Sequence, residues 1–370
     1  MTMEEKLLKN EEKAVFALRS LYRAYGYLPF KMSKFEEYEL YVRNKDFLVS
    51  DRIITFNDTN GKLMALKPDV TLSIIKNTTD TAGVKQKVYY NENVYRVSDS
   101  THQYKEILQT GLECVGDIDS YDLYEVVLLA AKSLDQISPD FVLDVSHLGI
   151  LTAVLDEAGG DDAFRQDAAA YISSKNKHDL QKLCLACGIS EENAQKLIRF
   201  IDIYGEMNDV LTRLDPLCRS EKSKAALGEL KTLADLLSCT PYADRIRFDF
   251  SIVNNMSYYN GIVFRGFLSG ICEGVLAGGQ YDKLLRRMGR RSGAVGFALY
   301  LDLLEDLQKQ ENLYDIDTLI LYDEETAPAA IAKAVQTLTE EGTCVSAQKS
   351  IPEKLRYRRL MDLRKENGHD

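Results

Sequence analysis

Residues 107–117 read ILQTGLECVGD, a β-type run in which two polar residues, Gln109 and Glu113, flank Gly111. Side chains on a strand alternate between faces, so residues four apart share one face and both can point at the same solute. A second such run, KVYYNENVYRV at 87–97, carries Arg96. Further strand candidates lie on both sides: DRIITFND and KLMAL around the Asn60-Gly61 turn, DFVLDVS at 140–146, RIRFDFSIV at 245–253, YYNGIVFRGFL at 258–268 and GVLAGG at 274–279. The Asn-Gly pair between apolar segments predicts a hairpin.

Between these runs the period changes from two to that of a helix. The segment from about 149 to 243 is helical in pattern throughout, with helix starts at Ser190 and Ser220 followed by acids in the first turn. Helical spacing also runs from Glu4 to Tyr25, where Gly26 is expected to end it, and through SYDLYEVVLLAAKSL at 120–134. GAVGFALYLDLLEDLQ at 293–308 carries a strand into a helix. DTLILYD, APAAIAKAVQTLTEEG and TCVSAQ then predict a short β-α-β segment with a basic tail. The expected class is therefore α+β. A mainly antiparallel sheet at 1–148 and 244–312 is split by a helical insertion at 149–243, and a small α/β segment occupies 313–370.

Composition narrows the function. With 45% hydrophobic residues among 370 the chain is that of a globular protein, and no stretch approaches the roughly 18 apolar residues of a membrane span. The charged start, MTMEEKLLKNEEKAV, lacks the apolar core of a secretory signal, and seven scattered cysteines fit reduced thiols, so a cytoplasmic location is expected. Cys184 and Cys187 form a single CxxC on a helical pattern with no second pair, which argues for helix cysteines over a metal site. A net charge of −11 argues against a surface dedicated to nucleic acid. Two basic runs, KLLRRMGRR at 283–291 and EKLRYRRLMDLRK at 353–365, read as solvated helix faces or contacts for an acidic partner.

Polar groups that interrupt apolar strands mark a candidate site: Asp69 and Thr71 in KPDVT, Arg96, Gln109, Glu113, Tyr258 and Tyr259. Two acids, an amide and tyrosyl hydroxyls suit a small ligand carrying an ammonium or imidazole group. The same pattern also describes a polar sheet face open to water. His102 and His147 stand apart from any nucleophile, and no GxSxG elbow, phosphate-binding Walker loop or HExxH is present.

These phrases resemble the catalytic core of histidyl-tRNA synthetase, a class II aminoacyl-tRNA synthetase. LKPDVT is similar to its Arg-Pro-Glu/Asp-x-Thr phrase, and VYYNENVYRV through LQTGLECVG to its motif 2. MSYYNGIVF is similar to its histidine-specific Tyr-Tyr segment, and LAGGQYDKLL with AVGFALYLDLLEDL to its Gly-Gly-Arg-Tyr-Asp segment and motif 3. The resemblance runs from about residue 5 to 310. It implies a six-stranded, mainly antiparallel sheet flanked by helices, a dimer of such cores, and a histidine pocket built from the seven residues named above.

The departures bear on chemistry. Asn254 stands where the family's activating arginine is expected. Motif 3, ending Gly-Met-Glu-Arg-Leu in the synthetase, reads Tyr300-Leu301-Asp302-Leu303-Leu304, with Leu303 at the phosphate-holding arginine. Arg-x-Glu of motif 2 has become Arg96-Val97-Ser98, and Ser33 replaces a proline of motif 1. Losing one preorganised donor to a developing charge costs roughly 3–4 kcal/mol. Neither asparagine nor leucine reproduces a guanidinium fork. The combination is similar to the regulatory subunit family of ATP phosphoribosyltransferase, paralogues of the synthetase. That resemblance implies no catalysis of its own and no cofactor or metal. Its implied partner is the short catalytic subunit, with L-histidine as effector and tRNA not a ligand. A divergent working synthetase, using Arg96 with Arg286 or Arg287 as replacement cations, and a paralogue in another pathway are the alternatives.

Overall fold

The computed structural model describes residues 10–45, 48, 52–97, 102–253, 258–304 and 314–364. Two compact units emerge: Glu11–Leu304, and a second made of Met1–Asn10 with Glu305–Asp370.

In chain order the first unit runs α1 (Asn10–Ala24), β1 (Leu28–Pro29), β2 (Phe35–Glu37), α2 (Tyr38–Arg43), β3 (Thr55–Asn57), β4 (Leu63–Leu66), α3 (Thr71–Asn77), β5 (Gln86–Val97), β6 (Tyr104–Gly116), α4 (Ser120–Asp135) and β7 (Phe141–His147). Helices α5 (Leu148–Ala158), α6 (Asp162–Ser173), α7 (Lys177–Ala186) and α8 (Glu191–Ile201) follow, then β8 (Tyr204–Gly205), α9 (Met207–Leu214) and α10 (Glu221–Ser238). Strands β9 (Ile246–Asp249), β10 (Ile262–Leu268) and β11 (Leu276–Gln280), helix α11 (Asp282–Arg287) and β12 (Gly293–Tyr300) complete it, with a 3-10 turn at Leu301–Leu304. Gly26, at φ +82°, takes the left-handed turn that ends α1.

The main sheet has the order β1-β5-β6-β12-β11-β10-β7-β9-β8. Its six long members, β5 to β7 in that order, pair antiparallel throughout, which is the predicted six-stranded core. Two-residue β1, parallel to β5, and short β9 and β8 widen it to nine. Two-residue β1 and β8 carry too little periodicity to be read from sequence, whereas β9 falls in the strand predicted at 245–253. A small sheet, β2-β4-β3, holds the hairpin at Asn60-Gly61.

Helix α4 starts at a capping box between Asp119 and Asp122 and buries Val126, Val127, Leu129 and Leu134. Its Leu134 lies against Gly266 of β10. The opposite, pleat-alternate face of the sheet is left for a ligand. His147, which looked isolated in the sequence, is a joint. Its Nδ1 accepts the Gly149 N–H at the start of α5, so its Nε2–H donates to Glu229 of α10 at 3.1 Å.

The structure departs from the sequence pattern at four places. Asp69 and Thr71 do not interrupt a strand: Thr71 opens α3, and the Asp69 carboxylate accepts the Leu72 N–H at 3.0 Å. Five successive residues of α3 are buried, so it shows no polar stripe to betray a helix. Tyr258 and Tyr259 precede β10, which begins only at Ile262. The basic 353–365 run is no helix face, for Tyr357–Asp362 forms β15. In the second unit β13 (Ile316–Leu321) is the centre of a parallel sheet between β14 (Val345–Gln348) and β15, with α12 (Pro328–Glu340) as the crossover from β13 to β14. The predicted helix after Tyr300 is a 3-10 turn through Leu304, and its remainder lies outside the described residues.

Candidate functional site

On β6, Gln109, Gly111 and Glu113 face one way, and the register sets Tyr300, Ala298 and Gly296 of β12 opposite them. Ala277 of β11 lies opposite Ala298 in turn. Four neighbouring positions therefore carry a methyl group or less. Three of them, Ala277, Gly296 and Ala298, floor a cavity of about 360 Å³, and the Tyr90 phenol covers Gly111.

All seven residues singled out from sequence line this cavity: Asp69, Thr71, Arg96, Gln109, Glu113, Tyr258 and Tyr259. Tyr90, Tyr281 and Tyr300 join them; each lies in a phrase that resembles the synthetase family, though none was named as a pocket residue. Arg286 and Arg287, the replacement cations considered for a working synthetase, line other clefts. Asn254 lies outside the described residues. Leu303 sits half-buried in the 3-10 turn, between buried Leu301 and Leu304.

Glu113 is the electrostatic centre. It is 2% exposed, and its two oxygens accept from the Thr71 hydroxyl at 3.0 Å and the Tyr281 hydroxyl at 2.5 Å. Burial pushes its carboxyl up to about 8 against the pull of both hydrogen bonds, and the charge of Asp69 adds to the rise. Burial also raises Asp69, opposed by the Leu72 N–H and the nearby Arg96 guanidinium. Arg96 donates from Nε to the Pro68 carbonyl at 3.0 Å, which anchors it beside that acid.

Aromatic packing sets the walls. Tyr258 and Tyr259 meet edge to face at 4.5 Å between centroids, and Tyr281 stands 5.6 Å from Tyr258. Burial holds all three phenols well above their ordinary range, so they remain neutral hydrogen-bonding groups. Tyr258, Tyr281, Leu72, Ile75 and Val115 belong to one apolar cluster, which ties the pocket wall to α3 and β6. Asp282 fixes the turn after the tyrosines by accepting from Asn260 at 3.0 Å, Gln280 at 2.9 Å and the Ala294 N–H at 3.0 Å. Asp282 is the acid of the Gly-Gly-Arg-Tyr-Asp-like phrase, and its three partners come from separate segments.

Gln109 is 3% exposed, and its Nε2 has no partner among the described residues. A buried amide left unbonded is costly unless a ligand completes it. Two carboxylates, one guanidinium, neutral phenols and a waiting amide define a site for a small cation that also carries an acceptor. A free amino acid with a basic side chain has that chemistry, and the volume is at the small end of ligand pockets.

The glycine at 296 is a packing requirement. A Cβ there would stand 1.7 Å from Glu113 Oε2 and 2.5 Å from the Leu112 carbonyl. Gly296→Ala is expected to displace the carboxylate, costing about 1–3 kcal/mol of stability and at least about tenfold in ligand affinity. Denaturant unfolding and calorimetric titration of the variant measure the two effects separately.

A model of the histidyl-tRNA synthetase family matches residues 3–304. The ATP phosphoribosyltransferase regulatory subunit of Oceanobacillus iheyensis is 29% identical over 291 residues, covering 78% of this chain and 71% of that one. A crystal structure of an ATP phosphoribosyltransferase regulatory subunit/histidyl-tRNA synthetase from Bacillus halodurans superposes with a TM-score of 0.77 at 21% identity, over 96% of this chain and 94% of the other. A chain of the ATP phosphoribosyl transferase complex from Thermotoga maritima gives 0.63 at 19% identity, over 79% of this chain and 97% of that one.

Proposed function

The chain belongs to the histidyl-tRNA synthetase family, and we propose that it is a regulatory member rather than an aminoacylating one. It is the regulatory subunit of ATP phosphoribosyltransferase. It activates a short catalytic subunit that carries the transfer chemistry, and it conveys feedback inhibition by histidine in the first step of histidine biosynthesis. Curated relatives at 24–29% identity carry the regulatory subunit's name. The expected location is the cytoplasm; among the described residues no helix is long and apolar enough to cross a membrane.

One observation carries this reading. The pocket keeps both acids, while Arg96 is the single cation among its described lining residues. Transfer of an adenylyl group develops negative charge on phosphate oxygens, which needs preorganised positive donors. The motif 3 position that would supply one is Leu303, and the activating position is Asn254. The site is thus suited to holding histidine and unsuited to activating it.

In the proposed complex the Asp69 carboxylate takes the histidine ammonium, Glu113 with Tyr258 takes the imidazole, and Gln109 with Arg96 takes the carboxylate. Thr71 and Tyr259 orient these groups. Histidine then regulates through its different affinities for the active and inhibited assemblies, which is the only way an effector moves such an equilibrium.

The purified chain, given ATP, histidine and labelled pyrophosphate, is expected to show no histidine-dependent exchange above background. Brisk exchange would establish a working synthetase and overturn the regulatory reading.

A further inference from the structure

Strand β12 places Gly296, Ala298 and Tyr300 on the pocket face in that order, two small residues and then a large one. Opposite them β6 runs Glu113, Gly111 and Gln109, so the acid stands over the glycine end and the tyrosine stands beside Gln109. Four residues of strand separate Glu113 from Gln109, about 13 Å of backbone before either side chain extends over the floor. The room between them is that of one amino acid.

Tyr300 is half-buried, lines the cavity, and is held by a hydrogen bond from its N–H to the Val275 carbonyl at 2.8 Å. It lines the cavity together with Tyr90 and Tyr259 and stands opposite Gln109 in the strand register. With the carboxylate at Gln109 and Arg96, as proposed above, the Tyr300 ring stands beside the ligand's carboxyl end.

We propose that Tyr300 is the specificity-determining end-stop of the pocket: it limits the ligand to a free amino acid and refuses one extended through its carboxyl group, such as an ester, amide or adenylate. The inference rests on the histidine-pocket reading and goes beyond it by naming what sets the ligand's length. The floor of Ala277, Gly296 and Ala298 would accept a longer ligand if the ring were absent. With Tyr300 in place, the pocket separates sensing a free amino acid from binding its activated derivatives.

The test is calorimetric titration with L-histidine, L-histidine methyl ester and L-histidine benzyl ester. The two esters share the imidazole, the ammonium and the loss of carboxylate charge, so their affinity ratio reads length alone. The native chain is expected to bind the methyl ester at least about tenfold more tightly than the benzyl ester. Tyr300→Ala and Tyr300→Gly should bring that ratio to within about threefold of unity, while Tyr300→Phe should leave it as in the native chain. An equal ratio in the native chain and the Ala and Gly variants, with histidine still bound, overturns the end-stop. Failure of the native chain to bind histidine overturns the underlying histidine-pocket reading instead, and the end-stop with it.

Discussion

Glu113→Gln is expected to lose about a hundredfold in histidine affinity, because it removes a charge-assisted hydrogen bond worth roughly 2–3 kcal/mol. Glutamine keeps the size of the side chain and one acceptor for the Tyr281 hydroxyl, so the pocket survives while its charge is gone. In the assembled transferase the same variant should still activate and should no longer respond to histidine. A variant that keeps native histidine affinity would remove Glu113 from the site.

The raised carboxyl gives this effect a pH signature. With Glu113 held at about 8, the empty site carries a proton below that pH. Free imidazole is itself protonated below roughly 6.5. The bound pair shares one proton between carboxylate and imidazole, so affinity is expected to be greatest between these two limits. Below the lower limit a proton must be released on binding, and above the upper one a proton must be taken up. Affinity should fall on each side, up to about tenfold per pH unit, as linkage requires. Stability of the ligand-free chain follows the same group. A folded-state value raised above the unfolded one stabilises most at low pH, and that contribution is lost as pH rises from the unfolded value of 4.5 through about 8. Thermal unfolding of Glu113→Gln should therefore be flatter across that window than that of the native chain.

The second large effect concerns Lys67, whose side chain is fully buried and pairs with Glu92 at 2.6 Å. The pair lies one residue before Pro68-Asp69, so it fixes the segment that delivers Asp69 and Arg96's carbonyl partner to the pocket. Lys67 is held by its backbone as well: its N–H donates to the Lys34 carbonyl and its carbonyl accepts from Tyr95. Lys67→Met strands the Glu92 carboxylate. Because Glu92 keeps 16% exposure, the expected cost is about 3 kcal/mol, the lower end for breaking a buried ion pair. Lys67→Met with Glu92→Leu should recover most of that loss, since two apolar groups leave no charge unpaired. Denaturant unfolding of the native, single and double variants measures this. If the single variant is as stable as the native chain, the buried pair holds nothing.

Much of the site was legible because strands obey a period of two. Gln109 and Glu113 could be assigned to one face from spacing alone, and both do line the cavity. Asp69 and Thr71 were found as residues and misplaced as structure, since a short helix buried along its length looks apolar in every direction. Tyr90, Tyr281 and Tyr300 lie inside the family-like phrases, yet those phrases do not by themselves make them pocket residues. Their place depends on the register between β5, β6 and β12 and on the packing of α11, which no local pattern specifies. The pocket floor is equally non-local, being made of small residues on separate strands that become neighbours only when the sheet closes. Strand β15 was hidden by its charge: Tyr357 and Met361 are its half-buried residues, and the arginines between them read as a solvated tail.

Regulation of a transferase by a pocket that does no chemistry of its own is measured most directly by mixing this chain with the short ATP phosphoribosyltransferase subunit of the same cell and following phosphoribosyl transfer to ATP with and without L-histidine. Activity that appears in the mixture, is absent from either chain alone and falls as histidine is added is the predicted result. Transfer by the short subunit that is unchanged by this chain, at any histidine concentration, would contradict it.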